Sequence, residues 1–251
     1  MKTLVIVLLT STLLAQQRAP RPGAQAAGDA AFRSLADRYF EEVYFKFNPT
    51  QGTAAGFHQY DTEFEDLSSQ TIASRIGALH RFRALLDQVD PGKLSSEARA
   101  DRDLVISDIM GTLLSLEKIR GWELNPNIYS SSTASSAFTI MSRKFASADE
   151  RMKSLAQREE KMPRMLDQAR QNLKNPPRIY TEVALEQMPG IIGFFQKDVP
   201  EAFVEAKDPA IKQAFNTANS QLIDALKNYE KYLRSEVLPN SSGDFKIGAD
   251  N

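Results

Sequence analysis

Apolar residues spaced three and four apart recur through almost the whole chain, and this period constrains the fold more than any other feature of the sequence. Phe32, Leu35, Ala36, Tyr39, Phe40 and Val43 fall on one helical stripe that should stop near Asn48 and Pro49. Ile72, Ile76, Leu79, Phe82, Leu86 and Val89 form a second stripe, closed by Asp90-Pro91-Gly92. A third helix opens at Ser95-Ser96-Glu97, turns Ala98, Val105, Ile109, Leu113, Leu116 and Ile119 inward, and runs to about Trp122. Residues 123–136 are looser, and the serines from Ser130 to Ser136 read as a polar loop or helix start. Ser147, three residues before Glu150, makes a capping box, followed by the stripe Met152, Leu155, Met162, Leu166, Ala169 and Leu173.

Proline sets the remaining boundaries. Pro163 must kink its helix or begin a new one, because it has no N–H to donate. Asn175-Pro176-Pro177 ends that segment, and the next helix, roughly 179–197, carries Pro189-Gly190 as an internal break. Asp208-Pro209 starts a last long helix through Ile211, Phe215, Ala218, Leu222, Ala225, Tyr229 and Leu233 to Leu238-Pro239. No alternating run is long enough for a strand. The expected fold is all-α, a multi-helix array in which proline-kinked helices pack around something instead of forming a straight bundle.

The two ends read differently from this body. Lys2 followed by the apolar run Leu4 to Leu14 has the layout of a signal peptide, assigned to residues 1–15. The run is short of the roughly 20 apolar residues that span a bilayer, so no stable membrane anchor is expected. Residues 16–29, rich in Ala, Gln, Pro and Gly, read as a flexible linker, and the helical region occupies 30–239. Residues 240–251 read as a second, turn-rich linker leading toward a C-terminal half, with Phe245 and Ile247 as apolar residues within it. The expected location is exported, periplasmic or secreted. There is no cysteine, which rules out disulfides, thiolate zinc sites and a thiol nucleophile. With 31 basic and 32 acidic residues the charge nearly cancels, and no basic patch invites nucleic acid.

Chemistry is sparse. The only histidines are His58 and His80, and neither belongs to H-E-x-x-H, which sets two imidazoles one helical turn apart with a glutamate as base. His58 reads as a loop residue bonding a turn, His80 as a helix-surface residue. Ser115-Leu116-Glu117-Lys118 matches S-x-x-K without its companion motifs, and no G-x-S-x-G elbow or phosphate cradle is present. No catalytic, cofactor-binding or metal-binding residue is therefore assigned. Three clusters at helix ends put aromatic and polar groups where clefts form: residues 56–61, 122–129 and 172–178. Helix-terminating turn chemistry accounts for the same residues.

In order and spacing these clusters resemble the DUF885 family of large helical proteins. The resemblance extends through Asn48-Pro49, Gly56-x-His58-x-Tyr60-Asp61, Trp122-x-x-Asn125-Pro126 and Asn172-Leu173-x-Asn175-Pro176-Pro177. It continues with Ala184-Leu185-Glu186-Gln187-x-Pro189-Gly190, Leu238-Pro239 and Gly243-Asp244-Phe245-x-Ile247-Gly248. Members look like zinc metallopeptidases whose H-E-x-x-H helix and further acidic ligand lie in a C-terminal half. The resemblance implies that this chain is the N-terminal part of such a fold, a helical wall around a substrate channel, and catalytically incomplete by itself. Zinc and a peptide substrate are then expected of the full-length protein, with no cofactor in this chain. Asn125, Tyr129 and Arg178 are the candidates for lining the channel, the arginine suited to a substrate carboxylate. The alternative is a stand-alone exported helical binding module with no enzymatic activity.

Overall fold

The computed structural model describes residues 22–248, so the signal-peptide assignment at 1–15 lies outside the described residues. Helices α1 (Pro22–Tyr39), α2 (Pro49–Ala54), α3 (Ser69–Asp87) and α4 (Ser96–Leu113) form the N-terminal part. Then come α5 (Gly121–Leu124), α6 (Asn127–Met141), α7 (Ala148–Glu159) and α8 (Met162–Asn172). Last are α9 (Arg178–Gly193), the short α10 (Val199–Glu201) and α11 (Pro209–Tyr232). No strand occurs among the described residues, and the fold is all-α.

The caps act where the sequence puts them. Ser68 and Ser95 accept from the backbone N–H groups of Thr71 and Ala98, Ser147 and Glu150 form the reciprocal box, and Asp208 accepts from Ala210 and Ile211. Pro163 opens α8 instead of kinking a longer helix. Pro189 stands inside α9, which continues to Gly193. The ladder instead widens at π-turns, Phe40–Phe45 after α1, Leu114–Ile119 after α4, Phe194–Asp198 after α9 and Leu233–Val237 after α11. Each inserts extra backbone per turn and rotates the stripe that follows.

Three stretches differ from the sequence reading. The linker assigned to 16–29 is helical from Pro22, and its end is pinned where Asp29 accepts from the Ser95 N–H at 2.8 Å. The serine-rich patch, read as a polar loop or helix start, is helical but buried, lying in α6 with Ser130, Thr133 and Ser136 fully covered. Its hydroxyls satisfy themselves locally, Thr133 donating to the Ser130 carbonyl at 2.7 Å and Thr139 to the Ser136 carbonyl at 2.8 Å. The second linker is docked at its start. Ser242 donates from both N–H and Oγ to Asn175 Oδ1 at 3.0 Å, the Gly243 N–H bonds the Pro176 carbonyl, and Ser241 Oγ lies 2.8 Å from Thr181 Oγ1.

Two apolar cores result. One joins α1, α3 and α4 through Phe32, Tyr39, Leu79, Phe82, Leu86 and Ile109. The other joins α6 to α9 and α11 through Leu155, Met165, Met188, Phe195, Leu222 and Tyr229. In the second core α7 and α8 run alongside α11 in the same direction. Asp149, at the head of α7, accepts from the Lys207 and Asp208 N–H groups, and Arg170 near the end of α8 reaches the Asn228 carbonyl.

The strip from Asn48 to Ser68 joins the cores, with Phe64 buried in the second and Leu67 packed against both, and a polar network ties it down as well. Arg158, 0% exposed, donates from Nη2 to Thr53 Oγ1 at 2.5 Å and to the Tyr60 carbonyl at 2.7 Å. Its Nη1 meets the Ser136 carbonyl, Ser136 Oγ and Thr139 Oγ1 at 3.1–3.3 Å. Burial pulls its pKa down to about 10, partly countered by Glu65, Asp61 and Glu63, so it stays charged at neutral pH. Gln168 and Asn172 add bonds to the N–H and carbonyl of Leu67.

The neighbour of Arg158 carries the opposite problem. Glu159 is fully covered, neither carboxylate oxygen has a partner, and desolvation raises its pKa well above 4.5.

Arg158→Ala should cost about 3–5 kcal/mol, because Thr53, Ser136 and the Tyr60 carbonyl lose their common donor inside the protein. Urea denaturation would measure this, and a loss below about 1 kcal/mol would show that the strip holds without the guanidinium. Glu159 gives a pH signature. Its folded-state pKa lies above the unfolded value, so its contribution is fully present below pH 4.5 and is progressively lost as pH rises toward the folded pKa. Glu159→Gln should therefore match the wild type in acid and gain on it above pH 4.5, by at most about 1.4 kcal/mol per pH unit. Parallel stability curves for the two proteins would refute this assignment.

Candidate functional site

The open cleft of interest forms where α1 ends. Phe40, the first residue of the π-turn at Phe40–Phe45, lies at the edge of the inward stripe to which its spacing assigns it, beside buried Tyr39 and Val43, and is 37% exposed. Phe45 follows it on the same side, with ring centroids 5.9 Å apart. The opposite wall comes from the turn after α2. Gly56, at φ 90°, takes the left-handed conformation that ends the helix, and a 3₁₀ turn at His58–Tyr60 follows. This brings Phe57 to 4.9 Å and Tyr60 to 5.8 Å from Phe45. Phe57 is 44% exposed.

The resulting cavity, about 450 Å³, is lined by these four rings together with Asp37, Glu41 and Gln59. Both carboxylates are exposed, one turn apart, and neither is in an ion pair with another described residue. A second cavity of about 330 Å³ shares Asp37 and Phe40 and extends across α1 to Asp101 and Leu104, the latter 68% exposed. The floor is rigid. Tyr60 is held by its carbonyl on Arg158, and its ring packs on Gly52 so closely that an added Cβ would meet it at 2.5 Å. His58 is turned aside, stacked on Phe145 at 4.1 Å with Nδ1 on Asp61 at 3.0 Å.

The three channel candidates do not meet at this cleft. Tyr129 is 0% exposed; it donates to the Trp122 carbonyl, accepts from Asn172 Nδ2 at 3.1 Å, and burial pushes its phenol up to about 12. Asn125 accepts from the Asn127 N–H at 3.0 Å and so shapes the turn before α6. Arg178 lies on the surface at the head of α9, paired with Glu182 at 2.8 Å. The clusters at 122–129 and 172–178 instead form one joint, in which buried Glu123 binds Lys174 Nζ at 2.9 Å and Arg120 Nη2 at 2.5 Å. Of the three sequence clusters, only 56–61 contributes to the open cleft.

Zinc does not fit the described residues. No three His, Cys, Asp or Glu side chains among them gather closely enough to hold a metal ion. His80 is engaged by Glu117 at 2.8 Å. A further cleft of about 350 Å³ between α8 and α11 is already served from within, since the Arg170 guanidinium lies 4.3 Å over the Tyr232 ring.

Among the described residues, fold and site together define an all-helical arrangement with two cores, a polar strip between them and an open aromatic and acidic cleft. The chain belongs to the family described as bacterial protein of unknown function (DUF885), whose match covers residues 49–251. A solved structure described as a candidate lipoprotein of unknown function from Shewanella oneidensis has a similar fold. It is 21% identical, with a TM-score of 0.76 over 87% of this chain and 40% of that one. The chain thus spans about two-fifths of the length of that relative. No curated protein matches it.

Gly52→Ala should push the Tyr60 ring off α2 and cost about 1–3 kcal/mol, as overpacking does. The accompanying change in Tyr60 environment is readable by near-ultraviolet circular dichroism. An unchanged melting temperature would mean that the floor of the cleft is softer than its geometry implies.

Proposed function

We propose that this chain forms the ligand-facing helical region of a larger exported DUF885 protein, with the reaction carried by residues of a C-terminal half that holds the zinc. The observation that carries this reading is the pairing of an open, rigidly backed cleft with a fold that spans only 40% of a structurally similar protein. A further point supports it. The solved relative is described as a lipoprotein, which favours export. Among the described residues no helix is long and apolar enough to cross a membrane.

Within this reading the ligand is a peptide, and the three channel candidates take different parts. Arg178, exposed at the head of α9, is free to exchange Glu182 for a substrate carboxylate, because a surface i,i+4 pair is worth little. Tyr129 and Asn125 act behind the wall, fixing the turn before α6.

The test compares this chain alone with a longer DUF885 protein that carries an H-E-x-x-H helix. Metal content and chelator-sensitive cleavage of a peptide library are measured for both. The longer protein should hold zinc stoichiometrically and cleave, and this chain should do neither. Stoichiometric zinc or chelator-sensitive cleavage by this chain would overturn the assignment of the chemistry to the other half.

A further inference from the structure

The cleft at the end of α1 combines features that folding does not require. Phe40 and Phe57 are large rings left open to solvent, although burial would stabilise the chain. Asp37 near the end of α1 and Glu41 in the π-turn that continues it stand about one turn apart, a like-charge arrangement that disfavours the helical segment. Glu42, next in sequence, is neutralised by Arg38 at 3.0 Å, whereas neither Asp37 nor Glu41 is in an ion pair among the described residues. Local choices that oppose stability and converge on one cavity mark a binding surface.

The chemistry of that surface selects its ligand. Four aromatic rings, whose π faces carry negative potential, line the cavity together with two carboxylates. Both attract a cation that also carries an apolar stem. Lys and Arg side chains match this description, with aliphatic stems and charged heads. The second cavity continues the same pattern, since Asp101 and Leu104 again pair a carboxylate with an exposed apolar group. The two cavities share Asp37 and Phe40, so the surface is elongated, with Arg33 as a cation lining the far cavity. An extended chain with a basic residue followed by an apolar one fits it better than a compact ammonium ion does.

We propose that the groove formed by Asp37, Phe40, Glu41, Phe45, Phe57 and Tyr60 binds a polypeptide segment through a Lys or Arg side chain, with an adjacent apolar residue seated toward Leu104. This rests on the reading of the chain as a peptide-facing wall and specifies which peptides that wall receives.

The experiment is fluorescence anisotropy with the full chain and two labelled hexapeptides, identical except for a central lysine or glutamate flanked by leucines. The lysine peptide should bind and the glutamate peptide should not. Binding should weaken as salt is raised from low to physiological strength. Phe57→Ala and Glu41→Lys, both at exposed positions, should each weaken the lysine peptide about five- to thirtyfold. The exposed control Glu186→Lys on α9 should leave binding unchanged. Equal binding of the two peptides, lost in Phe57→Ala, would overturn the cation preference while leaving the peptide wall intact. Binding of neither peptide would overturn both. Tetramethylammonium competing as well as the lysine peptide would reassign the groove to a small ammonium ligand. Concentration-dependent dimerisation abolished by Phe57→Ala, seen by sedimentation, would reassign it to a second copy of the chain.

Discussion

The buried guanidinium of Arg158 is the interaction on which the arrangement of this chain turns. It leaves α7 and binds groups from α6, α2 and the 3₁₀ turn after it, so one side chain fixes the position of three other segments. Removing an arginine from water is costly, and here the cost is offset by five hydrogen bonds and by the field of nearby acids. The network extends outward from it. Arg158 donates to Ser136 Oγ, which lies 2.8 Å from Thr50 Oγ1, which in turn lies 2.9 Å from Glu65 Oε2. With Arg158 as the only obligate donor and Glu65 as the acceptor, both hydroxyl protons can point the same way along the chain. The strip between the cores is thus held by direction-specific bonds, which fix its register more narrowly than apolar packing could.

The cleft inherits its shape from this anchor. Tyr60 is tied by its carbonyl to Arg158 on the inner side and packs its ring on Gly52, so the aromatic floor has little freedom to close on itself. Hydrophobic collapse would otherwise draw Phe40, Phe45, Phe57 and Tyr60 together and bury them. Preorganisation of this kind lowers the ordering cost of binding, and it explains how rings can stay exposed in a folded chain.

Much of this was legible in the sequence, and the parts that were not share a cause. Helices closed by side-chain caps were readable from Ser95, Ser147 and Asp208, because a hydroxyl or carboxylate at that spacing has one favourable use. Helix α6 was legible only as one of two readings of the serine patch, because Ser130, Thr133 and Ser136 carry no apolar signal and are buried through hydroxyl bonds to the preceding turn and to Arg158. The cleft was half legible. Phe57 and Tyr60 lie in a recognisable turn cluster, but Phe40 sits on the inner stripe by spacing and is exposed beside buried Tyr39 and Val43. The other two clusters, 122–129 and 172–178, are aromatic and polar for a structural reason.

That reason is a strained joint. Arg120 and Asn175 both occupy the left-handed region, at φ 51° and 46°, where side chains other than glycine are disfavoured. Buried Glu123 holds both sites, pairing with Arg120 and with Lys174 while its carbonyl accepts the Lys174 N–H at 2.9 Å. The turn at Asn175 then offers its side chain and the Pro176 carbonyl to residues 242 and 243, and a Cβ at Gly243 would collide with the Asn175 carbonyl. The strain therefore fixes the point from which the chain leaves the helical body. The family match begins at residue 49, so this joint lies wholly inside it, as do Phe57 and Tyr60. Asp37, Phe40, Glu41 and Phe45 lie before it. Phe57 and Tyr60 of the cleft thus lie within the family match, whereas Phe40, Phe45 and both carboxylates come from α1 and the π-turn after it, and must be read from the geometry of this chain.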